Sequence, residues 1–135
     1  MASWPDLEGE LARWARQGRT AGLWWRDDDA VMPGPKLRRL IDLSRSSQVA
    51  LALAVIPGRA EDALGEVLAE LPGAKMLVHG LQHENHAPDS EKKAEFGPHR
   101  PVHEMLGDAA IAWENLNGRF PALTVHVLDP PRNRL

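Results

Sequence analysis

Apolar residues along the chain recur first at helical spacing and then in short continuous runs. Near the N-terminus they fall on one helical face, at Trp4, Leu7, Leu11 and Trp14. This spacing predicts an amphipathic helix whose tryptophans belong to the core. Ser3 and Asp6 have the spacing of a capping box at its start. Pro5 suits the first turn, and Gly18 supplies the stop.

Four apolar runs follow and predict strands. The first covers residues 21–25 and ends abruptly at Arg26 and three aspartates. The second, residues 48–56, contains an unbroken apolar stretch, and the others cover residues 74–78 and 122–128. A run without polar alternation is what a parallel strand covered on both faces requires.

Segments with helical spacing separate these runs. One follows the turn at residues 33–35, one covers about residues 60–71, and one opens at Pro101. The alternation predicts an α/β fold of consecutive parallel βα units. A chain of 135 residues fits one domain or a large part of one.

Composition and charge exclude several classes of function. Hydrophobic residues make up 43% and charged residues 26%, as in ordinary globular proteins. A formal net charge of -3 with dispersed basic residues gives no electrostatic reason to bind nucleic acid. The chain has no cysteine, which excludes disulfides and thiolate metal sites. It shows neither a secretory signal nor a run of about 20 apolar residues, so we expect a cytoplasmic protein without a membrane partner.

Three polar segments follow predicted strands and should meet at one edge of the fold. They are the aspartates at 27–29, the histidine segment 79–86 and the Pro-Pro-Arg-Asn-Arg segment 130–134. In consecutive parallel βα units, every strand-to-helix loop emerges at the same rim. The topology therefore predicts one site built from segments far apart in sequence.

The histidine segment is the most informative of the three. His79 and His83 are four residues apart and face the same way if the segment is helical, so both imidazoles can reach one ion. A carboxylate from the first strand would complete an open site for Zn²⁺ or another divalent transition metal. A second aspartate can act as general base, while the metal and Arg26 offset the like charges. His86 and Asp27 are additional candidates.

Each segment also has a structural interpretation. Two histidines at this spacing are often found on a solvated helix face, and aspartates before a helix can simply cap it. The five histidines between His79 and His103 can also form a nonspecific chelating patch. A structural α/β module with incidental histidines is a further alternative. The combination of three segments at one rim favours a metal site.

The same residues resemble the motifs of the polysaccharide deacetylase superfamily, the group with the NodB homology domain (carbohydrate esterase family four). An Asp-Asp pair that closes the first strand of that family is similar to the run at 27–29. The resemblance assigns the base to Asp28 and a metal ligand to Asp29, or, in a shifted register, the same roles to Asp27 and Asp28. The family's His-(Ser/Thr)-x-x-His motif resembles residues 79–83, with Gly80 at the hydroxyl position.

A bacterial polysaccharide deacetylase-like branch resembles the chain further. Its Pro-Pro-Trp-Asn-Arg form is similar to residues 130–134, with Arg132 at the tryptophan position. The resemblance implies that Arg132 or Arg134 orients the base or stabilises developing negative charge. It also implies an irregular (β/α) barrel, which takes about 200 residues or more. The four strands predicted here would form part of such a barrel, incomplete at the C-terminus.

The resemblance implies a metal-dependent hydrolase that releases acetate from an N-acetylated carbohydrate. Asp29, His79 and His83 would bind the metal, with zinc favoured and cobalt, iron, manganese or nickel also compatible. The expected partners are an acetylated sugar and a second copy of the chain, which would cover the open side of a partial barrel. The alternative is a truncated relative that binds metal and self-associates without turnover.

Overall fold

Helices and strands alternate along residues 3–133, the part of the chain that the computed structural model describes. The elements are α1 (Trp4–Arg16), β1 (Trp24–Ala30), α2 (Pro35–Ser47), β2 (Ala50–Val55), α3 (Asp62–Ala69), β3 (Lys75–Val78), α4 (Val102–Arg119), β4 (Thr124–Leu128) and a short 3₁₀ helix, Pro131–Asn133. The strands form one parallel sheet in the order β1-β2-β3-β4. The predicted fold class, consecutive parallel βα units, is confirmed.

The core lies around the two central strands. Leu53, Ala54 and Val55 in β2 are fully buried, and Met76 in β3 is too. Helices α2, α3 and α4 contribute apolar side chains to the same cluster, namely Leu37, Ile41, Leu64, Leu68, Ala112 and Leu116. Residues 51–55 of β2 are all buried, on both faces of the sheet, as its unbroken apolar run predicts.

Strand β1 differs from the prediction. The predicted run 21–25 stopped at the charged residues, whereas the strand covers Trp24–Ala30 and passes through Arg26 and the aspartates. Within residues 3–133, β1 pairs along one edge, from Trp24 opposite Ala50 to Ala30 opposite Val55. Its side chains are mostly exposed, so charged residues fit an edge strand at little cost. The other strands and helices with predicted bounds begin and end within two residues of them.

Helix α1 forms where it is predicted, but its apolar face is not in the core. The Ser3 backbone N–H donates to Asp6 Oδ2 at 2.7 Å, and the Asp6 N–H donates to Ser3 Oγ at 3.4 Å, which completes the capping box. No residue of α1 is buried, and Trp4 is 75% exposed. The prediction of core tryptophans there is wrong, because no residue of α1 packs against the core cluster. Within residues 3–133, no helix combines the length and apolar character needed to cross a bilayer.

Candidate metal centre

The carboxyl ends of β1 and β3 bring one aspartate and two histidines together. Asp29 lies near the end of β1, His79 follows β3 directly, and His83 lies in the loop beyond it. Asp29 Oδ1 is 3.2 Å from His79 Nε2 and 3.0 Å from His83 Nε2. One ligand atom from each of the three residues lies within 4.8 Å of the others.

This donor set fits a divalent transition metal. Two imidazole nitrogens and a carboxylate oxygen are the ligands that zinc takes in catalytic sites, where a further position stays open. Bonds of about 2.0–2.1 Å at tetrahedral angles place ligand atoms roughly 3.3 Å apart, close to the two distances to Asp29 Oδ1. The three residues could therefore hold a metal ion.

Left-handed backbone, not a helix, makes the ligands converge. Asp29 has φ 59° and His83 has φ 60°, and Gly80 between the histidines has φ 65°. Non-glycine residues rarely adopt this region, and it concentrates at functional sites. The pairing register of β1 also shifts between Asp27 and Ala30, which turns Asp29 out of the regular strand alternation.

The buried ring of His79 is fixed by Asp129, which follows β4. His79 Nδ1 lies 2.9 Å from the Asp129 carbonyl oxygen and 3.3 Å from Asp129 Oδ2. With its proton on Nδ1 and donated to the carbonyl, the ring presents the Nε2 lone pair to Asp29 and to an ion. Nδ1 carries one proton, which it donates to the carbonyl oxygen. Asp129 Oδ2 therefore has no hydrogen-bond partner among the described residues.

Arg26 holds the second aspartate of the site. Its Nε lies 2.9 Å from Asp28 Oδ1, and its Nη2 donates to Asp28 Oδ2 at 3.1 Å. This two-point contact fixes the plane of the Asp28 carboxylate. The remaining nitrogen, Nη1, donates to Asp129 Oδ1 at 2.9 Å. Arg26 therefore links Asp28 to the residue that orients His79.

The candidate residues from the sequence divide into two sets. The structure brings together Asp29, His79 and His83, and it links the Arg26–Asp28 ion pair to His79 through Asp129. Asp27 and His86 are exposed and lie outside the group of three ligands. Arg132 is exposed in the 3₁₀ helix and makes no hydrogen bond or ion pair within residues 3–133. Arg134 lies outside the described residues, so its predicted role stays a prediction.

Two acidic residues of the site were missed by the sequence analysis. Asp129 followed the fourth predicted strand at the same rim, so its position carried a signal. Glu95 lies in a polar loop, yet it is 2% exposed and accepts hydrogen bonds from three successive backbone N–H groups of the histidine loop. The sequence places it in a Glu-Phe-Gly segment that resembles the deacetylase-like branch, but nothing there assigned its side chain a role.

A cavity of about 630 Å³ lies at the opposite rim of the sheet. Ala74 and Lys75 at the amino end of β3 line it, together with Phe120 and Leu123 before β4. Ligands of parallel α/β sheets bind outside the carboxyl ends of the strands. The group of Asp29, His79 and His83, and not this cavity, is therefore the candidate reaction site.

In comparisons with known proteins, no protein-family model, no curated protein and no solved structure matches this chain. The resemblance to polysaccharide deacetylases thus stays a prediction based on the motifs. The geometry of the rim stands on its own contacts and distances.

Proposed function

We propose that this protein is a divalent-metal-dependent hydrolase that removes the acetyl group from an N-acetylated carbohydrate. The observation that carries the proposal is the convergence of Asp29, His79 and His83, with Asp28 linked to the His79 ring through Arg26 and Asp129. A bound divalent metal supplies a Lewis acid that polarises a carbonyl group and lowers the pKa of water. Zinc suits the donor set best, and cobalt, iron, manganese or nickel would also be accepted.

In this proposal Asp28 is the general base. Its carboxylate is 39% exposed, so a water molecule can reach it, and the two-point contact with Arg26 fixes its orientation. Asp28 takes a proton from the attacking water, whose oxygen bonds to the acetyl carbon. The amide C–N bond then breaks, the proton held by Asp28 passes to the leaving nitrogen, and a free amine and acetic acid, which ionises to acetate, are released.

The 3₁₀ helix beside the site supplies the proposed contact with developing negative charge. Arg26 Nη2 donates to Asn133 Oδ1 at 3.4 Å, so the segment Pro131–Asn133 lies beside the arginine that holds Asp28. Arg132 is exposed on this segment and can donate to an oxyanion or to the sugar. The Asp29 side chain is 62% exposed, which leaves the rim accessible to a bulky carbohydrate.

The first test is metal content together with acetate release. Wild-type protein should bind about one zinc per chain, and His83→Ala should lose it because three protein ligands are the usual minimum of such a site. His103→Ala, an exposed histidine of α4, is the matched control and should keep the metal. Asp28→Asn should keep the metal and lose acetate release from N-acetylglucosamine oligomers. Wild-type protein that binds zinc, cobalt or manganese no better than His83→Ala would rule the proposal out.

A second candidate function is metal binding in a self-associating protein without turnover. Exposed apolar side chains on the two edge strands favour it, at Trp24 (56%), Val127 (48%) and Leu128 (40%). Patches of this kind on strand edges promote association. Metal bound at full stoichiometry, with an oligomer by light scattering and no acetate released, would support this candidate over the hydrolase.

A further inference from the structure

Glu95 is a buried carboxylate that the proposed reaction does not use. Its side chain is 2% exposed, although it belongs to the polar loop between β3 and α4. Oε1 accepts the backbone N–H of Leu81 at 3.1 Å and that of Gln82 at 2.8 Å, and Oε2 accepts that of His83 at 3.2 Å. A carboxylate is costly to bury unless it is hydrogen-bonded in this way.

The loop is shaped to receive that carboxylate. Successive backbone N–H groups next to a left-handed residue form a concave anion-binding nest. Here Gly80 has φ 65° and opens the nest, and His83 with φ 60° closes it. A Cβ atom at Gly80 would overlap Glu95 Oε2 and lie 2.6 Å from Pro131 Cγ. The glycine therefore admits the carboxylate as well as the turn.

Glu95 is itself held in place, so it can act as a fixed anchor. Arg100 Nη1 donates to the Glu95 carbonyl oxygen at 3.3 Å. The preceding residue, Ala94, donates its N–H to Asn85 Oδ1 at 2.9 Å, and its carbonyl accepts the His86 N–H at 2.9 Å. These bonds join residues 85–86, which directly follow the nest, to the residue that precedes Glu95.

We propose that Glu95 is a positioning residue of the metal centre. Its carboxylate holds the backbone of residues 81–83 in the conformation that brings the His83 imidazole to His79 and Asp29. The consequence for metal affinity rests on the proposed function, whereas the ordering of the loop does not. Supporting groups of metal ligands typically change metal affinity by about 10–100-fold when they are removed.

Glu95→Gln removes the charge and one acceptor oxygen but keeps the volume of the side chain. A glutamine carbonyl at the Oε1 position can still accept from Leu81 and Gln82, but its NH₂ group then faces the His83 N–H. In the opposite orientation, the glutamine NH₂ group would face the N–H groups of both Leu81 and Gln82, so that orientation is less favourable. The variant therefore keeps the fold and loses the bond at the metal ligand. Glu84→Gln is the matched control, because it removes the same charge from an exposed residue next to His83.

Two measurements on wild type, Glu95→Gln and Glu84→Gln decide the proposal. The first is amide hydrogen exchange by NMR in metal-free protein, where residues 81–83 should lose protection in Glu95→Gln alone. The second is cobalt titration, where Glu95→Gln should bind about 10–100-fold more weakly with an altered absorption spectrum. Equal exchange and equal cobalt spectra in the two variants would overturn the role of Glu95.

The two arms also separate this inference from the proposed function. If wild-type protein binds no cobalt, the hydrolase proposal fails, and the exchange measurement still decides whether Glu95 anchors the loop. If Glu95→Gln does not fold, wild-type exchange decides. Amides of residues 81–83 that exchange as fast as the Glu84 amide would contradict an anchoring carboxylate.

Discussion

Removing the charge of Arg26 tests how the rim is held together. The guanidinium contacts Asp28 with Nε and Nη2 and reaches Asp129 Oδ1 with Nη1 at 2.9 Å. Arg26→Met keeps an unbranched stem and removes all of these bonds. We expect a clear loss of stability, because one of the two carboxylates is buried.

The two carboxylates contribute unequal amounts. The Asp28 side chain is 39% exposed, so water replaces the lost contact at a cost of about 0.2–1 kcal/mol. The Asp129 side chain is 9% exposed, and losing its charged donor costs about 1.5–3 kcal/mol. Together they lower the free energy of unfolding by about 2–4 kcal/mol. For 135 residues, at about 2.1 cal/mol/K of unfolding entropy per residue, the melting temperature falls by roughly 7–14 °C.

Thermal unfolding followed by circular dichroism and calorimetry measures this loss. Arg39→Met, on the exposed face of α2, is the matched control and should change stability by no more than about 0.5 kcal/mol. The decisive comparison repeats Arg26→Met in an Asp129→Asn background, where no buried carboxylate is left unpaired. There the substitution should cost about 1 kcal/mol or less. Equal costs in both backgrounds, within about 0.5 kcal/mol, would refute the assignment of the effect to Asp129.

Two further predictions concern the helices. Gly65→Ala in α3 should destabilise the protein by about 1–3 kcal/mol, because the new Cβ overlaps the Phe120 ring. Gly107→Ala in α4 meets nothing within 4 Å and should stabilise by about 0.5–1 kcal/mol, so equal urea midpoints for the two variants would contradict the packing. In α1, the Ser3 backbone N–H, followed by the Ser3 hydroxyl, lowers the pKa of Asp6. The capping box therefore stabilises α1 fully at pH values above the ordinary aspartate pKa, and this stabilisation is lost as the pH falls through the lower folded-state pKa of Asp6. An NMR titration of the Ser3 amide with its midpoint at or above the ordinary aspartate pKa would contradict this.

The order of elements could be predicted because its signals are local. Helical spacing, apolar runs and breaks at proline and glycine depend on neighbours in sequence, and they located β2, β3 and β4 within two residues at each end. The extent of β1 depends on a pairing partner, which sequence neighbours do not reveal. The charges of Arg26 and the aspartates ended the predicted strand at Trp25, yet pairing with β2 extends the strand to Ala30. The exposure of the apolar face of α1 could not be predicted for the same reason. An amphipathic pattern predicts a helix but does not show that another surface covers its apolar face.

The meeting of Asp29, His79 and His83 could be anticipated at the level of topology. Parallel strands deliver their carboxyl ends to one rim, so the segments that meet there follow from strand order. The mechanism of convergence could not be anticipated. Left-handed backbone at Asp29 and His83 replaces the helical presentation considered from sequence, and such residues leave no periodic signal. Gly80 was the one position where residue type pointed to this conformation.

The balance of charges at the rim connects Asp129 and Glu95, which the sequence did not assign to the site, with the proposed metal-dependent function. Arg26 pairs with both Asp28 and Asp129, so its single positive charge is already shared between two carboxylates. Glu95 is satisfied by backbone N–H groups and carries its charge into the same loop. Asp29 then faces two imidazole nitrogens, at 3.2 Å from His79 and 3.0 Å from His83. Asp29 and Asp129 both contact the His79 ring, and a divalent ion between Asp29 and the two histidines would offset the charge that Arg26 does not. Asp129 is thus part of the reason for proposing a metal at this rim.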